Sequence, residues 1–201
     1  MSAGVYLRGV IKTFTNDGLV SGVLGVAMLN ASMGTLINKG TIESTGNSTI
    51  SAAISLMTVY NKPSTIDNLT NEGLIKSKSH GILAEAGNYI NTIINKGTIE
   101  ADLNGIGFFD VGGVSGSTMK LGRIILENGS SIKAGNNGIN IDNETSKAIE
   151  ADGIEVKEGA SISGGNSGIY IGGGKEIDTQ ITISGSVTGG TAGIVNEGVI
   201  G

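Results

Sequence analysis

The 201-residue chain has no cysteine and no tryptophan, one proline, one histidine, and aromatic residues at only 3%. Without cysteine there is neither a disulfide framework nor a zinc–thiolate site. A single proline, with no glycine at every third position, excludes a collagen triple helix. So few aromatics leave a core built from thin aliphatic side chains, where a compact globule of this length normally uses bulkier fillers. Charge is sparse too: Asp, Glu, Lys and Arg make up 15% of the chain, and the net charge is −5. No basic field exists to neutralise phosphates or attract an anionic membrane, so nucleic acid is not an expected partner. The longest stretch poor in charge, Gly18 to Lys39, is diluted by Gly, Ser and Asn and is too polar for a spanning helix. It reads as two more strands of a repeat, and an export signal is expected upstream of Met1.

Glycine is what the chain has in excess. It contains 35, against about 14 at average usage. Hydrophobic residues at 38%, with Ile, Val and Leu along the whole length, supply enough apolar surface to fold. A phrase Asn-x-Gly-x-(Ile/Val) returns at Asn16, Asn38, Asn71, Asn95 and Asn196. Looser copies at Asn128-Gly129, Glu158-Gly159 and Ser184-Gly185 keep the glycine and the apolar residue that follows. Irregular spacing with a preserved phrase is what loop insertions produce in a stacked array.

Short alternating runs such as Ile124-Ile125-Leu126 and Ile181-Thr182-Ile183 precede the phrases and read as strands. Asn and Gly tolerate positive φ, so Asn-x-Gly is expected to turn a corner between two strands by that freedom. A second phrase follows: Gly25-Val26, Gly81-Ile82, Gly105-Ile106, Gly138-Ile139, Gly168-Ile169 and Gly193-Ile194, with Ala53-Ile54 as the equivalent in the coil that departs. Strand, corner, strand, bend and strand make one circuit of three faces. The expected fold is therefore all-β, a right-handed parallel β-helix of seven to eight irregular coils. Residues 1–201 form a single segment of it, with residues 1–15 as an N-terminal edge or cap. Rungs about 4.8 Å apart make a rod on the order of 35 Å long. The asparagines at positions 16, 38, 71 and 95 either hydrogen-bond up the stack as a ladder or merely adopt the turn; both readings stand at this point.

Three insertions are expected to leave the rod as loops: Met57 to Asp67, Phe108 to Lys120, and Asp142 to Asp152. Loops on a rigid scaffold are where binding resides, so Phe108, Phe109, Asp110, Tyr60 and Lys62 are the candidate partner contacts. The bland use of these aromatics is to cover the end of an apolar column. A search for chemistry yields no catalytic, cofactor or metal residues. His80 beside Gly81 reads as a solvent-exposed or turn-bonded residue, and Ser115 lacks the Gly-x-Ser-x-Gly elbow and a base. The acidic run from Asp142 to Glu158 lacks the ligand spacing of a calcium loop, and Gly172-Gly173-Gly174 has no Lys-Ser/Thr in phosphate-loop register.

The Asn-x-Gly-x-Ile phrases with intervening Gly-Ile bends resemble the passenger repeats of bacterial autotransporters, especially the large fusobacterial type V secreted surface proteins. The resemblance spans about Asn16 to the end. It implies a non-catalytic extracellular rod at the bacterial cell surface, carried by a C-terminal membrane barrel and concerned with adhesion or virulence through an unidentified surface receptor. The barrel's ten-residue strands with aromatic girdles are missing from this sequence, and Val199-Ile200-Gly201 stops inside a repeat, so a segment of a longer passenger is expected. Self-association through the end coils is a further expectation, because open strand edges invite pairing. The competing expectation is a carbohydrate-processing β-helix, a polysaccharide lyase or tailspike-like hydrolase, which would need an acidic groove.

Overall fold

A computed structural model describes residues 2–58, 62–85, 87–109, 119–142, 149–172 and 177–198, with backbone only at 119, 120, 149, 150, 177 and 178. The described residues contain no helix and form twenty strands, β1–β20 along the chain. Gly and Asn interrupt the apolar runs before a 3.6-residue period can establish itself, while β-branched residues fill the strands.

The strands sort into three faces. The first face carries the second half of β1 (Ala3–Asn16), the second half of β3 (Leu24–Asn38), β6 (Thr65–Asn71), β9 (Tyr89–Asn95), β12 (Met119–Leu126), β15 (Ile149–Val156) and β18 (Ile177–Ile183). The second face is β2 (Leu19–Gly22), β4 (Thr41–Ser44), β7 (Leu74–Ser77), β10 (Thr98–Ala101), β13 (Ser131–Ala134), β16 (Ser161–Gly164) and β19 (Ser186–Gly189). The third face holds the first halves of β1 and β3, then β5 (Ala52–Met57), β8 (His80–Glu85), β11 (Ile106–Phe109), β14 (Asn137–Ile141), β17 (Ser167–Ile171) and β20 (Ala192–Asn196). Every pairing is parallel and joins one coil to the next, giving seven circuits of a parallel β-helix. Residues 3–16 are the edge strand β1, paired with β3 along its length. Both strands round the third corner unbroken, β1 through Gly9 (φ 76°) and β3 through Asn30 (φ 49°).

In-register stacking turns the inward residues into columns. On the second face Val20, Ile42, Ile75, Ile99, Ile132, Ile162 and Val187 succeed one another. On the third face the run is Val5, Val26, Ile54, Ile82, Ile106, Ile139, Ile169 and Ile194, so Ala53-Ile54 does occupy the expected equivalent position. Ile42, Ile54, Ile75, Ile82, Ile99 and Ile106 are fully buried, and each contributes about 2 kcal/mol of apolar transfer. The triangular interior has room for few rings. Phe108 fits because its neighbour one rung away is the small Ala84.

The corner asparagines form a ladder. Nδ2 of Asn16, Asn38 and Asn71 each donates to Oδ1 of the next, Asn38, Asn71 and Asn95, at 2.8 Å every time. Each also donates to a strand carbonyl of the following coil, Thr41, Leu74 and Thr98 at 3.0–3.1 Å. The ladder ends where Asn95 donates to the Gly97 and Ser131 carbonyls, and Leu126, Val156 and Ile183 take over the position.

The corner itself corrects the expected mechanism. None of Asn16, Asn38, Asn71, Asn95, Gly18, Gly40, Gly73 or Gly97 has positive φ. At Gly40, Gly73 and Gly97 glycine is required because the preceding coil leaves no space, a Cβ on Gly73 colliding with the Gly40 carbonyl oxygen; Gly18, with no coil before it, has open space around it. Left-handed glycine appears in the looser copies instead, at Gly129 and Gly159 (φ 79° and 77°), where the corner is longer. The Asn196-Glu197-Gly198 phrase is a second correction. Asn196 pairs with Ile171 at the end of β20, so it sits on the third face rather than at the first corner.

Charges outside the first corner alternate along the axis. The residue after each corner position runs Asp17, Lys39, Glu72, Lys96, Glu127 and Lys157, and from Lys39 on each backbone N–H is bonded to the coil before. Lys96 reaches Glu72 at 3.2 Å and Lys157 reaches Glu127 at 2.8 Å. Glu43, Lys76, Glu100 and Lys133 repeat the alternation on the second face, with Lys133 and Glu100 4.0 Å apart. Exposed pairs of this kind contribute little individually, because solvent and salt screen them.

The ladder generates a stability prediction. Asn71→Leu takes the ladder partner from one Asn38 Nδ2 hydrogen and from Asn95 Oδ1 inside the rod, each at about 1–3 kcal/mol, whereas Asn95→Leu takes it from one Asn71 Nδ2 hydrogen alone, the Asn38 and Asn71 amides keeping their bonds to the Leu74 and Thr98 carbonyls. Urea titration is expected to show the Asn71 variant losing about twice as much stability; equal losses would refute a continuous ladder.

Candidate functional site

The longer connections gather at one edge of the rod. Residues 58–64, 110–118, 142–148 and 172–176 join the end of a third-face strand to the start of a first-face strand, and 86–88 makes the same connection in three residues. The first corner is turned by two residues in five coils and by four in the other two, 127–130 and 157–160. One further insertion, 45–51, lies between the second and third faces and was not foreseen. No repeat phrase marks it, since the Ser-Thr-Gly-Asn-Ser run reads equally as strand or turn.

The candidate contacts divide. Phe108 lies in β11 and is fully buried, so it is a core residue and not a loop contact; the expected loop from Phe108 begins after the strand, because β11 and β12 run to Phe109 and from Met119. Phe109 ends the same strand, half-buried, with its ring edge-on to His80 (centroids 5.1 Å, 64°). Lys62 is exposed ahead of β6 on the insertion-bearing edge. Tyr60 and Asp110 lie outside the described residues. Of the five, then, Phe109 and Lys62 remain described at or near this edge with surface to offer.

His80 is not solvent-exposed but 3% accessible, at the start of β8. Its Nε2 sits 3.0 Å from the Thr49 carbonyl oxygen and therefore donates to it, while its backbone N–H donates to Ser51 O at 3.2 Å. The ring thus ties the 45–51 insertion to the third face and to Phe109. Nδ1 is buried without a hydrogen-bond partner. Burial pushes the imidazole pKa below its usual 6.5, with the Thr49 carbonyl opposing weakly.

A polar groove of about 450 Å³ opens on the outer side of the first face. Arg123 on β12, Asp152, Gly153, Ile154 and Glu155 on β15, and Gln180 and Thr182 on β18 line it. Arg123, Gly153 and Gln180 are consecutive in one outward column, and Glu155 precedes Thr182 in the next. Arg123 Nη2 meets Glu155 Oε2 at 3.1 Å. Asp152 has no ion pair among the described residues. Among those residues no three His, Asp or Glu side chains converge as a metal centre. Sequence reading missed the groove because its residues come from three coils separated by insertions.

No family model, no curated protein and no solved structure matches the chain.

His80 predicts a pH dependence with a definite sign. The unfolded chain, near pKa 6.5, takes up the proton before the folded chain does, so stability is lost as pH falls below about 6.5 and levels off once the folded pKa is passed. The urea midpoint is expected to drop between pH 7.5 and pH 5, and to drop less in His80→Gln; an identical drop in both proteins would remove His80 as the cause.

Proposed function

We propose that this chain is a non-catalytic extracellular scaffold, a β-helical segment of a bacterial autotransporter passenger that presents its insertions for adhesion or virulence at the cell surface. The observation that carries the reading is the collection of long connections on one edge of an otherwise tightly cornered rod. A stack whose coils contact mainly their neighbours supports it further, since such a chain can fold progressively as it emerges from an outer-membrane pore. The absence of cysteine from the sequence fits passage through an oxidising periplasm without misplaced disulfides. The receptor contacts in this reading are Phe109 and Lys62 together with the flanking segments, and Tyr60 and Asp110 belong to the same proposal.

Exposed apolar residues at the two end coils, Val10 and Leu19 at one and Ile183 and Ile194 at the other, support self-association as part of the same reading. The carbohydrate-processing alternative draws on Asp152 and Glu155 in the groove, but glycoside hydrolysis needs two carboxyls free to act on one bond. Glu155 is already engaged by Arg123.

Two measurements test the proposal. Fused between an export signal and an unrelated autotransporter barrel, the chain is expected to reach the bacterial surface protease-accessible and to bind host cells. Replacing 110–118 by a Gly-Ser linker should weaken that binding while leaving the β-sheet circular dichroism intact. Intracellular retention, or binding indifferent to every insertion, would count against the scaffold; sustained release of reducing ends or unsaturated sugars from a polysaccharide panel would establish the enzymatic alternative.

A further inference from the structure

We propose that the groove on the outer side of the first face binds saccharides that are neutral or carry an amino group, a site that stands on its own geometry whatever the fate of the surface-scaffold reading. The hollow has a definite origin. In the outward column Thr13, Thr35, Asn68, Thr92, Arg123, Gly153 and Gln180, glycine removes the side chain from one rung, leaving Arg123 and Gln180 on either side of a gap. The Arg123–Glu155 contact at 3.1 Å spans this rung and restrains both long side chains before a ligand arrives. Restraint of that kind lowers the ordering cost of binding.

The donor and acceptor set selects the ligand. A guanidinium only donates, carboxylates only accept, and the amide of Gln180 and the hydroxyl of Thr182 do both. Neighbouring hydroxyls on a sugar ring need both kinds of partner at close quarters, and this short stretch of surface supplies them. A protein partner would instead require an exposed apolar or aromatic anchor at the centre, and the one apolar lining residue, Ile154, is 1% accessible and packed into the core. The sign of the charge narrows the class further. Asp152 and Glu155 against Arg123 leave the groove one negative charge in excess, which disfavours uronates, sialates and phosphates and favours an ammonium group beside Asp152.

Titration of the ¹⁵N-labelled full chain with a chitosan oligosaccharide, a neutral gluco-oligosaccharide and an oligogalacturonate tests the site. The Gly153 amide and the Gln180 side-chain amide are expected to shift with the first two probes and not with the third. Arg123→Ala and Gln180→Ala, both at exposed positions, should each weaken binding about tenfold, the loss of one charge-assisted or bidentate contact, with unchanged thermal unfolding. Lys133→Ala on the second face should leave affinity as it was. Three results would each overturn the proposal: no shift at Gly153 and Gln180 at millimolar neutral oligosaccharide, tighter binding of the uronate, or equal weakening by the Lys133 variant. Binding of the chitosan probe alone would reduce the groove to a simple cation attractor and overturn it as well.

Discussion

Every strand finds its hydrogen-bond partner in a different coil, so nothing in the rod is stable until at least two coils lie one above the other in register. That constraint dictates the rest. Once the rungs are in register, a residue type repeated in the sequence becomes a column in space, and isoleucine columns close the interior without aromatic bulk. The same closeness makes a side chain at Gly73 collide with the coil beneath, and it brings buried amides to 2.8 Å so that a polar row can run through an apolar core.

Similar coils create an ambiguity, because a coil resembles the one two places away as well as its proper neighbour. The outer charges discriminate. With Asp17, Lys39, Glu72, Lys96, Glu127 and Lys157 in alternation, the correct neighbour always offers the opposite sign, and a stack that skipped one coil would set like upon like. Individually these contacts are weak. Their summed preference acts against misassembly more than for stability, as edge charges do in other sheets.

Much of this fold was legible, and the parts that were not share a cause. The Gly-Ile bends and the places of the four corner asparagines could be read because each recurs at a similar point in its coil, while the choice between ladder and turn stayed open until the coils were stacked. Alternating acid and base in the middle of Asn-x-Gly was equally present in the sequence, yet it becomes meaningful only when the phrases are laid over one another. Why glycine follows the asparagine could not be read, since the sequence records that a Cβ is forbidden and not whether torsion or crowding forbids it. Phe108 looked like loop because Gly and Asp surround it; the space beside Ala84 that accommodates it exists only between coils. Asn196 carries the corner phrase at the wrong corner, where its Oδ1 accepts from Gly198 N–H at 3.0 Å, a local bond that Asn16 also makes with Gly18 N–H at 3.3 Å. His80, Thr49 and Phe109, like the residues around Gly153, meet across insertions whose lengths hide their proximity.

Because the inter-coil bonds run along the rod while the strands lie across it, tension applied to the two ends of the chain would load those bonds by peeling and not by shear. Coils would then let go singly, from an end inward. The 24 residues separating Asn71 from Asn95 would pay out roughly 80 Å of slack per release. A tether built this way lengthens in steps under drag and rewinds when the pull relaxes.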